Sequence, residues 1–155
     1  MSAVVHSINI STQGGVPKLP INKAQIKFEG VGGDFNKFRT EKKNSTGTRA
    51  VTLFSLEQIE KLKSEGHAID VGTTGENITI EGVDWPSLEV GDRMMIGEAM
   101  IELSEPTAPC SKIGKSFIDG AFSRIDHELE LGWSRWSASV IEEGQVEIGS
   151  QVILL

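Results

Sequence analysis

Val90-Gly91-Asp92-Arg93-Met94-Met95-Ile96-Gly97-Glu98-Ala99-Met100-Ile101-Glu102-Leu103 is the run whose reading decides the fold. Arg93–Ile96 and Ala99–Leu103 are short apolar-rich segments separated by Gly97-Glu98. Two such segments around a glycine turn read as a β-hairpin. Asp92 in this setting is a turn residue. The hairpin leads into Pro106-Thr107-Ala108-Pro109-Cys110-Ser111-Lys112, which holds the one cysteine of the chain. Each proline lacks an N–H and fixes φ, and Glu105 and Ala108 before them are pushed toward extended backbone. Cys110 is therefore expected on a stiff, non-helical loop that presents its thiol in one direction. Lys112 is near enough in sequence to favour the thiolate, the reactive form. The alternative is a cysteine that is only a small buried hydrophobe.

Outward from the hairpin, the chain reads mainly as short strands. Val4–Ile10 is rich in β-branched residues, and Ala24–Phe28 alternates apolar and polar side chains. Arg49–Phe54, Ile78–Ile80, Ser137–Ile141 and Gln151–Leu155 complete the strand set. Ser55-Leu56-Glu57-Gln58 resembles a capping box. Leu56, Ile59 and Leu62 stripe the helix that follows, which Gly66 stops. Phe122, Ile125 and Leu129 predict a second helix over Ala121–Leu131, closed by Gly132. Trp133 and Trp136 fall in a loop or at the beginning of a strand. Many short strands with few helices predict a mainly β, closed barrel-like core of largely antiparallel strands. The 155 residues are expected to form a single domain.

Composition narrows the function. The 22 acidic and 15 basic residues leave a net charge of −7, which argues against nonspecific nucleic-acid binding. No apolar run reaches membrane-spanning length, and the N-terminus lacks signal-peptide regions, so a cytoplasmic protein is expected. One cysteine excludes an internal disulfide framework. Lys37, Arg39, Lys42, Lys43 and Arg49 face only Glu41 within their window, a basic island able to steer a small anion. Gly30-Val31-Gly32-Gly33-Asp34 and Gly72-Thr73-Thr74-Gly75-Glu76-Asn77 are loops. Neither is a nucleotide fingerprint. In the second, turn formation and hydrogen bonding to a ligand are both open. His6, His67 and His127 lack metal-ligand spacing and are assigned no chemistry.

The order Gly33-Asp34, Arg49-Ala50-Val51-Thr52-Leu53-Phe54-Ser55, Gly75-Glu76-Asn77-Ile78-Thr79-Ile80, Gly91-Asp92-Arg93 and Pro109-Cys110 resembles the MOSC (molybdenum cofactor sulfurase C-terminal) family. The resemblance runs from about Val4 to Val152 and reads as a standalone, minimal member. It implies a pyruvate-kinase-barrel-like β-barrel that binds a molybdenum–molybdopterin cofactor, with Cys110 at the family's cysteine position. In reductase members that cysteine ligates molybdenum, and the substrates include N-hydroxylated compounds. In sulfurase-type members it is proposed to carry sulfur as a persulfide. The partner is then an electron-donor protein in the first case and a cysteine desulfurase in the second. A noncatalytic binding module is the remaining reading. The cofactor's phosphate needs a fixed cation and hydrogen-bond donors. Arg49 is the first choice for the cation, with Arg39 and Lys112 behind it. Thr48, Asn77 and Ser111 are the candidate hydrogen-bond partners. Two positions depart from the family pattern: Asn36, also a cofactor-binding candidate by its place, stands where histidine is frequent, and Ser139 where arginine often precedes the valine.

Overall fold

The structure, a computed structural model, describes residues 3–35 and 47–155. The described strands are β1 (Ala3–Ile10), β2 (Leu19–Ile21), β3 (Lys23–Lys27), β4 (Gly30–Val31), β5 (Val51–Ser55), β6 (Ile78–Glu81), β7 (Arg93–Ile96), β8 (Ala99–Thr107), β9 (Arg135–Glu142), β10 (Gly144–Glu147) and β11 (Gln151–Leu154). The hairpin that opens the sequence reading is β7–β8, with Ile96 opposite Ala99 and Arg93 opposite Glu102. Its turn requires glycine: Gly97 has φ +57°, and a Cβ there would sit 2.8 Å from the Gln145 carbonyl oxygen. Asp92 serves as a turn residue, accepting the Glu89 N–H at 2.9 Å.

The main sheet runs β11-β7-β8-β9-β5-β6-β1-β2, and β1 also pairs with β11. That pairing closes seven strands into a barrel, the expected architecture. Closure removes exposed strand edges. All pairs in the barrel are antiparallel except β5–β6, which is parallel. A parallel pair needs a crossover, and α1 (Leu56–Ser64) lies in the connection. β3, β4 and β10 form a separate three-stranded sheet. The hydrophobic core on the two faces of the barrel wall includes Ile8, Leu53, Phe54, Ile78, Ile80, Met94, Ile96, Ile101 and Ala138, none exposed by more than a trace. Among the described residues no helix is long and apolar enough to cross a membrane.

α1 begins as expected, with the Ser55 hydroxyl accepting the Gln58 N–H at 3.2 Å. The capping box is only half formed. The Gln58 side chain does not reach back; it donates to the Gly132 carbonyl at 2.6 Å. The helix expected over Ala121–Leu131 is corrected more sharply. Only Phe122–Ile125 is helical there, as one 3₁₀ turn. Asp126 has extended backbone, and its carboxylate accepts the Glu128 N–H at 2.9 Å. That local side-chain bond offers the backbone an alternative to helix. Leu129, assigned to the apolar stripe, is 71% exposed, so the stripe has no core to face beyond Ile125.

Candidate functional site

Three neighbouring strands, β5, β9 and β8, carry one wall of a cleft of about 360 Å³. Its lining is Arg49, Thr52, Glu105, Pro106, Thr107, Ala108, Cys110, Arg135 and Ser137. Pleating explains the spacing, since alternate residues of a strand share a face. Arg135 and Ser137 alternate on β9, Thr52 lies opposite Ser137, and Thr107 lies opposite Arg135. The β8–β9 register shifts between Leu103 and Glu105. Such irregularities bend a strand and re-aim its side chains. They also accommodate a strand proline, here Pro106. Thr107 and Ser137 share a hydroxyl–hydroxyl bond of 2.7 Å along the cleft wall.

Cys110 follows directly on this strand end. Its backbone is extended (φ −144°, ψ 171°), and a 3₁₀ segment, Ser111–Ser116, begins immediately after it. The stiff extended approach expected from the prolines is present, and the residue is exposed at the cleft. The buried-hydrophobe alternative is thereby excluded. Arg49 lies on the same cleft, just before β5, and its Nε donates to the Glu105 carboxylate at 2.6 Å. Both side chains of that pair are roughly half exposed, at 49% and 42%.

The other proposed ligand contacts lie elsewhere. Thr48, Ser111 and Lys112 are exposed and do not line the cleft. The Thr48 carbonyl accepts from the Ser104 hydroxyl. Asn77 is buried and committed internally. Its Oδ1 accepts the Thr52 N–H at 3.0 Å, and its Nδ2 donates to the Asn9 carbonyl and to Asp34. Asn77 thus ties β1, β5 and the Gly33-Asp34 loop together and does not face the cleft. Asn36 and Arg39, with Lys37, Lys42 and Lys43, lie outside the described residues. Ser139 is half-buried on β9 and is not part of the cleft lining, but the same strand carries Arg135 four residues earlier.

Arg135 is the residue sequence reasoning missed. It is 6% exposed at the cleft floor. Its Nη1 donates to the Thr74 carbonyl at 2.6 Å and its Nη2 to the Ala108 carbonyl at 3.1 Å. Its Nε–H is buried and has no partner. Burial pulls its pKa down, while the charges of Glu76 and Cys110 oppose that pull. Glu76 itself is fully buried; it accepts from the Gly72 N–H and from the Thr74 and Thr79 hydroxyls, each at 3.0 Å. Burial nonetheless holds its carboxyl above the ordinary range, those hydrogen bonds working against the shift. The start of β9 is clamped beside Arg135. Trp85 Nε1 donates to the Ser134 carbonyl at 2.7 Å, and Gln58 holds Gly132. A signal for Arg135 was present in the sequence: one cation set in the run Trp133-Ser134-Arg135-Trp136-Ser137-Ala138, where every neighbour is small or aromatic.

The MOSC domain family model matches residues 29–153. The uncharacterized protein YflK of Bacillus subtilis (strain 168) is 32% identical over 81 residues, which is 52% of this chain and 36% of YflK. A protein named reductase from Gibberella moniliformis is 28% identical over 88 residues, covering 56% of this chain and 15% of that protein. The match thus spans about a third or less of these relatives. The crystal structure of YiiM from Geobacillus stearothermophilus superimposes with a TM-score of 0.75 at 22% identity, over 99% of this chain and 75% of that one. At that identity the likeness concerns the fold.

Proposed function

Because the chain belongs to the MOSC domain family, we propose that its cleft binds a molybdenum–pterin cofactor, with Cys110 supplying a thiolate ligand to the metal. The observation that carries this reading is the single cysteine, exposed at a cleft that two arginines also line. The residues present fit the group. A thiolate is a soft ligand of the kind thiophilic metals favour. The cleft volume falls in the range of about 300–1,000 Å³ that small-molecule sites occupy. A buried donor without a partner, Arg135 Nε, awaits an acceptor.

When bound, the cofactor supplies the redox centre, and the protein positions and tunes it. Cys110 fixes the metal's position from an extended loop. Arg49 contributes positive charge at the rim of an acidic protein, where it attracts an anion. Glu105 holds Arg49 in place. The finer reading is an oxidoreductase module acting on N-hydroxylated compounds, with an external protein as electron donor. The relative named reductase supports it.

Metal and pterin analysis of protein made in a cofactor-competent host tests the proposal. Wild type is expected to carry both in stoichiometric amount. Cys110→Ser is expected to lower molybdenum content by more than about tenfold. Full retention of metal and activity in that variant rejects ligation by Cys110.

The exposed thiol also supports a second reading, sulfur transfer. The Cys110 thiolate would attack the terminal sulfur of a desulfurase persulfide. The donor's S–S bond breaks, its thiolate leaves, and Cys110 keeps the extra sulfur. Mass spectrometry after incubation with a desulfurase and cysteine decides it, and an unmodified Cys110 under conditions that load a known carrier removes it.

A further inference from the structure

We propose that Arg135, flanked by Thr52 and Ser137, seats a phosphate-class oxyanion of the ligand at the cleft floor, and that Arg49 at the rim does not. This deepens the cofactor reading and rests on it for the identity of the ligand, whose pterin ends in a phosphate.

The hydrogen-bond accounting is the first support. Leaving a buried donor unsatisfied is costly, so native structures almost always satisfy one. Arg135 spends Nη1 and Nη2 on two backbone carbonyls, and these fix the plane of the guanidinium. Its Nε–H is left over, buried, on a residue that lines the cleft. An acceptor on a ligand completes the set, and a planar guanidinium suits phosphate oxygens.

The charge arrangement points the same way. Glu76 acts on Arg135 through its charge, but its own oxygens are occupied by Gly72, Thr74 and Thr79. It therefore offsets the buried cation without occupying the unpartnered Nε donor. Hydroxyls flank the seat. Ser137 is two residues along the same face of β9, and Thr52 is its cross-strand partner on β5. Arg49, in contrast, is half exposed and already engaged with a carboxylate.

The test follows the full chain, purified without cofactor, in nitrogen–proton correlation spectra as inorganic phosphate is added. The Arg135 Nε–H resonance, identified by its loss in Arg135→Lys, is expected to shift saturably, together with the Thr52 and Ser137 amides. Those amides report binding in the variants. Arg135→Lys is expected to weaken phosphate by about thirtyfold or more, and Arg49→Gln by no more than about threefold. The double variant Arg135→Met/Glu76→Gln removes both buried charges together. It is expected to keep wild-type spectral dispersion and to lose phosphate binding. The absence of a saturable shift overturns the proposal, as does equal weakening by Arg49→Gln or wild-type affinity in the folded double variant.

A second arm separates free phosphate from the pterin's phosphate. In protein from a cofactor-competent host, Arg135→Lys is expected to lose pterin. Full pterin retention there overturns the assignment of this seat to the cofactor. Wild-type protein that carries no pterin but still binds phosphate through Arg135 defeats the cofactor reading and leaves the oxyanion seat standing.

Discussion

The cleft has a floor and a rim, and each carries an arginine built on opposite terms. Arg135 stands at the first position of β9 in the barrel wall and is clamped by two carbonyls. Neighbouring backbone is held by Trp85 and Gln58. Arg49 sits before its strand begins, half in solvent, beside an equally exposed Glu105. A charge held in the barrel wall has one geometry and almost no freedom to lose on binding. A charge at the rim is screened by solvent, so it steers an approaching anion more than it fixes one. Under the proposed anion site, two identical side chains divide the work by burial.

The largest effect expected from breaking this contrast is on stability. Arg135→Ala takes the donor away from the Thr74 carbonyl and removes the cation whose charge acts on buried Glu76. Leaving a buried polar group without its partner typically costs about 1–3 kcal/mol. Urea denaturation is expected to show a loss of that size. A loss near zero would mean that the floor is not the organised half of the cleft.

A second effect, seen in pH dependence, sharpens the same point. The Glu76 carboxyl is held above the ordinary glutamate range in the folded protein, first by burial. Between the unfolded value, about 4.3, and the raised folded value, the native state binds more protons than the unfolded state. Stability contributed by this group is therefore fully present below the unfolded value and falls as pH rises through that window. Urea midpoints measured across it are expected to show this downward slope in wild type, and Glu76→Gln is expected to flatten it. An unchanged slope in the variant would place the titrating group elsewhere.

How far the sequence reached follows the same division. The barrel was legible because it rests on local patterns: the β7–β8 hairpin, the alternation in β3, and the Ser55 cap. Cys110 was legible because two prolines determine its approach whatever packs nearby. The floor was not, because its parts come from distant positions. Arg135, Thr52 and Thr107 meet only through the register of β9 with β5 and β8. Asn77 misled for the same reason. A polar residue in a glycine-rich loop reads as ligand-facing, and only closure of the barrel turns it inward onto Thr52, Asn9 and Asp34. The missing helix over Ala121–Leu131 shows the limit of periodicity. Helical spacing predicts a helix only where a core covers the stripe, and Leu129 has none.

The smallest expected effect belongs to the rim, and it tests the contrast from the other side. Arg49→Gln removes one member of an exposed pair whose carboxylate partner stays in water. Exposed ion pairs typically contribute about 0.2–1 kcal/mol, because solvent screens the attraction and two long side chains must be ordered to make it. Thermal unfolding is thus expected to change little. The consequence should fall on kinetics: association of phosphate slows and loses part of its salt dependence, while its dissociation rate stays near wild type. Should Arg49→Gln speed dissociation as strongly as Arg135→Lys does, the two arginines grip the anion together, and the division between floor and rim fails.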